Sequence, residues 1–465
     1  MMGLAQPFYP APQASQFDVP EIATGIGLID QQNERLIGEK VYRQVQQQMP
    51  VLQDPWLEDQ FMEVFARVQS QAQLGQPIGL LLINDPQINA FAVPGGLFAL
   101  NTGLITTARN MDEVAGVIAH EVAHVSQRHY SRSQEAFKGQ GLLALAGVLV
   151  GAAIASQANG DAGAAVMMGS QAALMDQQLT YSRNQEREAD RIGMQYMYTA
   201  GYNPESMADF FEIMHRSTSR VSFLPDFWLT HPLTTERMSE ARLRAHQLPK
   251  KSLQTSDLDF EILKWYTAVL TNQTSESQLK SLAQNSAAGQ LALASFYLKR
   301  GEYAEAQQVL NQVKVQMTQH HLLTLLQTDI YLGQNQLAQA YQTVAAQQRI
   351  MPENRALALK LAEVLIRQQQ AGQAQTLLQS WIDKNPRDLQ VWRLMQQTAA
   401  LQRQSPLYTV NVLRYRAEVE YWSGQEETAI RSLLHAQRLA KENSAISATI
   451  DRRLKQMQFE RQMKI

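Results

Sequence analysis

The 465-residue chain carries 41 basic and 43 acidic residues, so it lacks the positive surplus that nucleic acid or a broad anionic membrane would attract. Its 45% hydrophobic content supports a sizeable core, and its length suggests two or three domains. It has no cysteine, which excludes disulfides, thiol catalysis and thiolate-bound zinc and fits an oxidising compartment.

Residues 1–20 lack the basic and apolar regions of a signal peptide, which fits either a protein that is not exported or one whose signal peptide has been removed, and their Pro, Gln and Ala content reads as a flexible N-terminal tail. Amphipathic helical stretches follow, clearest over 38–48 and 55–72. The period then changes. Residues 78–83 form a β-rich run, and 88–93 and 97–100 read as a strand pair joined by Pro94-Gly95-Gly96.

The next helix carries His120-Glu121-Val122-Ala123-His124. Asn110 can cap it, Asp112 and Glu113 favour its first turn, and no proline interrupts it before Tyr130. At i and i+4 the two imidazoles share a face and can reach one metal ion. Glu121 flanks that face, where it can take a proton from water at the metal without binding the metal itself. Zinc lowers the pKa of its water to about 7, so the constellation is that of a zinc-dependent peptidase. The plain alternative is a helix whose histidines are merely solvated or hydrogen-bonded.

The run 142–155 is broken by Gly147 and Gly151 and falls short of the roughly 18 apolar residues of a membrane span. With the small-residue run 162–168 it reads as a helical hairpin on the core or over the active site. Membrane insertion is the sharper alternative, with peripheral membrane contact through 141–170 as its milder form.

A charged helix over 181–198 supplies candidates for a third metal ligand, since three protein ligands are usual at catalytic zinc. Glu186 and Asp190 share one face, and Glu188 points about 160° away from Asp190 on the helical wheel. With Glu186 on the metal, Asp190 can hydrogen-bond the free ring nitrogen of a ligand histidine. Otherwise this is a solvated helix in which Arg183, Arg187 and Arg191 relieve the acidic repulsion. Thr230-His231-Pro232 marks a loop.

Pro, Lys, Ser, Thr and Asp cluster at 249–257, and beyond them the chain is helical and repetitive. Gly301 with Ala306, Gly333 with Ala338 and Ala345, Ala374 with Gln369 at the glycine position, and Gly424 with Ala429 and Ala436 outline four degenerate tetratricopeptide-like units. The interval from Gly301 to Gly333 is 32 residues, against about 34 for the repeat, and an insertion at 404–408 stretches the last unit. Such stacks present a concave surface to peptides or proteins. The alternative is an ordinary helical bundle.

The motif at 120–124, followed by Ser182-Arg183 and by Glu186-x-x-Ala189-Asp190, resembles the gluzincin metallopeptidases of the CAAX-prenyl protease and HtpX type. Asn89-Ala90-Phe91-Ala92, Gly95-Gly96, Asp190-Arg191-Ile192-Gly193, Thr230-His231-Pro232-Leu233 and the C-terminal repeats narrow the likeness to periplasmic, repeat-bearing members. The resemblance implies an α+β, gluzincin-type metalloprotease domain, mostly helical with a small sheet, over 21–250, then an all-α tetratricopeptide-repeat domain over 255–465. It implies one zinc per chain on His120, His124 and Glu186, with Glu121 as catalytic base. It also implies that His231 is a fourth ligand in a closed, latent state. Arg237 matches a recurrent arginine, which either stabilises the oxyanion or pairs with acidic neighbours. Ala90, Phe91, Ala92 and Val93 correspond to an edge strand that pairs with extended substrate backbone, or that only completes the sheet. The implied partners are unfolded or stalled outer-membrane proteins and their assembly machinery. A non-proteolytic chaperone acting through the repeats is the rival reading. His129, His215, His246, His320, His321 and His435 carry no such context and read as core or surface histidines.

Overall fold

The structure is a computed structural model that describes residues 28–129, 132, 172–218, 231–249, 257–313 and 320–462, apart from 73, 75, 76 and 94. The expected N-terminal tail, the hairpin with its membrane contact at 141–170, Pro94, Thr230 and most of the 249–257 linker lie outside the described residues. Among the described residues no helix is long and apolar enough to cross a membrane.

Helix α1 (Leu28–Gln48) and the short strand β1 (Val51–Leu52) precede α2 (Pro55–Gln69). Asp54 starts α2, its side chain accepting from the Leu57 N–H with Pro55 in the first turn. Strands β2 (Gly79–Ile83), β3 (Ala90–Val93) and β4 (Leu97–Asn101) then complete a four-stranded sheet in the order β1-β2-β4-β3. β2 and β4 run parallel, and β3 pairs antiparallel with β4 as the expected hairpin. Its turn needs Gly95 and Gly96, both at positive φ, and a Cβ on Gly95 would stand 2.2 Å from the Glu34 carbonyl oxygen. Helix α3 (Thr102–Thr107) and the motif helix α4 (Met111–Ser126) follow, then α5 (Ala172–Thr199), α6 (Pro204–Thr218) and α7 (Thr235–Gln247).

Strand side chains alternate between faces, and both faces of this sheet are covered. Leu80, Leu82, Ala90, Ala92, Phe98 and Leu100 pack with α2 and with Val114, Ile118 and Val122 of α4. Leu81, Ile83, Phe91, Val93, Leu97 and Ala99 face the other way, in one core with Val41 and Val45 of α1 and with Tyr421 and Trp422 near the C-terminus. That double burial is why β2 to β4 are apolar at nearly every position.

The remaining helices are α8 (Asp257–Leu270), α9 (Glu276–Ala283), α10 (Ala287–Lys299), α11 (Tyr303–Val313), α12 (His321–Gly333), α13 (Leu337–Ile350), α14 (Arg355–Arg367), α15 (Ala371–Lys384), α16 (Leu389–Leu401), α17 (Tyr408–Trp422), α18 (Glu426–Leu439) and α19 (Ser444–Gln462). Helices α10, α12, α14 and α16 begin 34 residues apart. The left-handed turn residues are Gly301, Asn335, Gln369 and Gly424, so the expected 32-residue interval compared unlike positions. Gly333 ends α12, where a Cβ would stand 2.2 Å from the Tyr303 ring; the turn itself belongs to Asn335.

The composition break near 250 does not divide the core. Trp56 of α2 meets Tyr266 of α8 edge-on at 5.3 Å, and the Tyr266 hydroxyl donates to Asp54 Oδ2 at 2.9 Å. Arg355 of α14 reaches Glu58 Oε2 at 3.0 Å while also clasping Asp388. Arg43 of α1, fully buried, pairs with Glu426 at 2.8 Å and Glu460 at 3.4 Å. The repeats therefore wrap the sheet-bearing half, sharing its interior.

Candidate metal centre

Helix α4 is buried on every side from Met111 to His124, so its sequence is apolar all round apart from Asp112 and Glu113 in the first turn and the motif residues. Asn110 caps it as expected, accepting from the Glu113 N–H at 3.0 Å, while Glu113 reaches back to accept from the Arg109 N–H at 2.6 Å. Helix α5 crosses it and turns Glu186 and Asp190 inward.

Four buried side chains converge. Nitrogen or oxygen atoms of His120, His124, Glu186 and His231 all lie within 4.8 Å of one another. His120 Nε2 and His124 Nε2 are 3.0 Å apart. Glu186 Oε2 is 3.3 Å from His120 Nε2, and its Oε1 is 3.3 Å from His124 Nε2. His231 brings Nδ1 to 3.1 Å from Glu186 Oε1 and 3.4 Å from His120 Nε2. The other ring nitrogen of His231, Nε2, is 3.4 Å from Glu121 Oε1. That Glu121 oxygen is buried and makes no hydrogen bond.

A divalent cation fits this arrangement. Three imidazole nitrogens and a carboxylate face one small volume, and an orphaned carboxylate oxygen stands beside it. A mixed nitrogen and oxygen set without thiolate suits a catalytic transition-metal or zinc site better than an all-oxygen calcium or magnesium cage.

The contacts around the cluster are as specific as the cluster itself. Asp190 Oδ1 lies 3.0 Å from His120 Nδ1. Arg237 clamps Asp190 with two hydrogen bonds of 2.7 and 2.8 Å, lies 3.0 Å from Glu186 Oε2, and donates to the Pro232 carbonyl at 2.8 Å. It is 2% exposed. The guanidinium is turned inward on the carboxylates, the pairing with acidic neighbours that was one of the two expected readings of Arg237. Arg237 also takes the place expected of Arg183, Arg187 and Arg191 in offsetting the acidic pair; Arg187 instead pairs with Glu236.

Electrostatics follow from burial and pairing. Burial works against Glu186 ionising, yet His231, Arg237 and His124 outweigh it and hold the carboxyl well below its usual range. Asp190 is likewise lowered, burial being overcome by Arg237. Burial pushes the Glu121 carboxyl up, partly opposed by His231 and His120. Burial drives His124 down to about 4, leaving it a neutral ring with a lone pair to give. Burial also acts to lower His120, but Asp190 and Glu186 prevail and raise it to about 10.

Strand β3 forms one edge of the sheet among the described residues and lies alongside α4. Ala90 to Val93 are buried, with Ala92 N–H close enough to Glu121 to lower its pKa. One buried histidine escaped the sequence reading. His129 Nδ1 sits 2.8 Å from His124 Nδ1, and its Nε2 lies 3.1 Å from Glu188 Oε2. On a continuous helix it would stand about 140° round from His124. Arg128, at φ 52°, ends the helix and folds His129 back. His215, His246, His320, His321 and His435 are not part of the cluster.

Residues 51–245 match the profile of peptidase family M48, and residues 331–398 match a tetratricopeptide repeat. The chain is 32% identical over 475 residues to the protein named "Putative beta-barrel assembly-enhancing protease" of Vibrio cholerae, covering 99% of this chain and 96% of that one. It is 32% identical over 323 residues to the beta-barrel assembly-enhancing protease of Yersinia pestis, covering 67% of this chain and 66% of that one. A more distant likeness, 29% over 191 residues, is to the mitochondrial metalloendopeptidase OMA1 of Arabidopsis thaliana, covering 40% of this chain and 36% of that one.

Proposed function

This chain belongs to the beta-barrel assembly-enhancing proteases of peptidase family M48, and we propose that it is a zinc endopeptidase held latent by His231, acting in the periplasm on outer-membrane proteins. One zinc per chain would rest on His120, His124 and Glu186, with His231 as the fourth donor of the resting state. Bound there, the metal would polarise the scissile carbonyl and acidify a water. Glu121 takes the proton of the attacking water and hands it to the leaving amine. Its raised pKa brings the carboxyl closer to the operating range of such a base. Asp190 orients His120, and Arg237 holds Asp190 and Glu186 in place. An extended substrate would lie against Ala90, Phe91, Ala92 and Val93, bound chiefly through its main chain.

The observation that carries latency is the position of His231. Its Nδ1 approaches the ligand atoms to 3.1 and 3.4 Å while its Nε2 stands 3.4 Å from Glu121, so one ring fills the space between the metal position and the base. Substrate water needs that space. The repeats of 255–465 are assigned the holding of unfolded or stalled outer-membrane proteins, or of the machinery that assembles them. This rests on the assembly role in the relatives' names and on the protein-binding habit of such repeats. A scaffold without proteolysis would not need Glu121 beside an intact set of metal donors.

Elemental analysis and casein cleavage, wild type against Glu121→Gln, test the core of this reading. Both proteins should hold about one zinc per chain, and only the wild type should cleave, with a loss of roughly 10²–10⁴-fold in the variant. A wild type without zinc would refute the metal assignment. Loss of zinc from Glu121→Gln would refute the role of Glu121 as a base outside the ligand set.

A further inference from the structure

The end of the motif helix holds a second histidine and carboxylate system that none of the roles above uses. His124 directs Nε2 at the cluster, 3.0 Å from His120 Nε2 and 3.3 Å from Glu186 Oε1. To bind a metal that nitrogen must be unprotonated, so the ring proton belongs on Nδ1. Nδ1 is 2.8 Å from His129 Nδ1, and one of the two must donate. With His124 as donor, His129 Nδ1 accepts and carries its own proton on Nε2. Nε2 lies 3.1 Å from Glu188 Oε2, which only accepts, and Arg132 Nη1 donates to the same oxygen at 2.8 Å. Each tautomer forces the next. The order runs one way: His124 to His129 to Glu188.

The backbone is arranged for this. Arg128 adopts a left-handed conformation, φ 52°, that returns His129 beneath His124, and Gln185 Nε2 donates to the His129 carbonyl at 2.9 Å. Gln185 and Glu188 belong to the same helix as Glu186 and Asp190. Glu186, Asp190 and Glu188 of α5 therefore divide the work. Glu186 faces the metal position, Asp190 backs His120 directly, and Glu188 backs His124 through an intervening ring.

We propose that His129 and Glu188 are positioning residues for the metal ligand His124, fixing its tautomer and ring orientation. The proposal rests on the metal-site reading above. A purely structural reading, in which His129 only closes the end of α4, predicts a different outcome. Zinc affinity of the full-length chain would be measured by competition with a chromogenic chelator, alongside the visible spectrum of cobalt(II) in the same site and thermal unfolding of the metal-free protein. His129→Phe should bind zinc about 10–100-fold more weakly, with altered cobalt bands and an unchanged metal-free midpoint. His129→Gln, which keeps an acceptor, should recover most of the affinity. Glu188→Ala lies at the outer end of the relay and should weaken zinc several-fold, which keeps the test decisive where His129→Phe does not fold. Wild-type affinity and cobalt spectrum in both His129→Phe and Glu188→Ala would overturn the relay, as would a fall in metal-free stability with no change in affinity. A wild type that binds no zinc would instead overturn the metal site itself.

Discussion

Gly193 of α5 packs directly on the backbone of Ala119 in α4: a Cβ at position 193 would stand 2.8 Å from the Ala119 carbonyl oxygen and 2.9 Å from the His120 nitrogen. The missing side chain is what lets the two helices approach closely enough for Glu186 and Asp190, on the turns before, to reach the two histidines. The neighbour is helix backbone and cannot step aside as a flexible side chain would. Gly193→Ala should therefore cost about 1–3 kcal/mol in denaturant unfolding and weaken zinc as α5 is pushed outward. Wild-type stability with wild-type zinc affinity would show that the helix spacing does not govern the site.

Arg237 gives a second, separable prediction. Its removal leaves Glu186 and Asp190 buried without their shared cation, a loss of roughly 3–5 kcal/mol for a broken buried pair. Arg237→Ala should lower zinc occupancy and stability together. Arg237→Lys should rescue only in part, because a single ammonium cannot reproduce the two-point clasp of Asp190. An oxyanion donor would behave otherwise, with full zinc and reduced turnover, so zinc content is measured first and turnover on zinc-matched samples.

Much of the site was legible because its key spacings are local. His120 and His124, and Glu186 and Asp190, each lie one helical turn apart, and one turn is enough to place both members on a face. The hairpin turn at Gly95-Gly96 and the cap at Asn110 were legible for the same reason. What could not be read depends on a single backbone angle or on distant packing. His129 joins the site only because Arg128 is left-handed, and nothing in its side-chain pattern announces that. The inward turn of Arg237 depends on carboxylates 47 and 51 residues earlier in the chain. In the repeats, Gly333 drew attention as a glycine, whereas the turn fell to Asn335, a residue type that also tolerates left-handed backbone.

Gln369 is the costly member of that turn series, since a long side chain without Asn's local hydrogen bonding holds φ 62°. Gln369→Gly should stabilise the protein by about 1 kcal/mol, the strain relieved being partly offset by the greater freedom of glycine in the unfolded chain. A lower unfolding midpoint would mean that the Gln369 side chain makes contacts worth more than the strain.

Deleting 255–465 is expected to leave an insoluble or partly unfolded fragment. The sequence alone suggested separable domains, but the cut would expose Trp56 where Tyr266 now covers it, and Phe91 and Leu81 where the C-terminal helices share their core. It would also strand Arg43 without Glu426 and Glu460. Size-exclusion chromatography and circular dichroism of the remaining residues 1–254 check this, and a monomeric fragment with cooperative unfolding would show that the shared interior is dispensable.

In the latent-enzyme reading, His231 is where resting and working states differ. Its ring occupies the ground between Glu186 and Glu121, and no substrate water can take that place while it stays. On that reading His120, His124 and Glu186 would form a catalytic set of three, and the fourth donor would be the removable one. His231→Ala should keep most of its zinc and raise basal casein cleavage or self-cleavage. In the alternative, where His231 stabilises the transition state, the same change would lower turnover. A protease assay on zinc-matched samples separates the two, and unchanged or reduced cleavage in His231→Ala would end the latency reading while leaving the metal assignment intact.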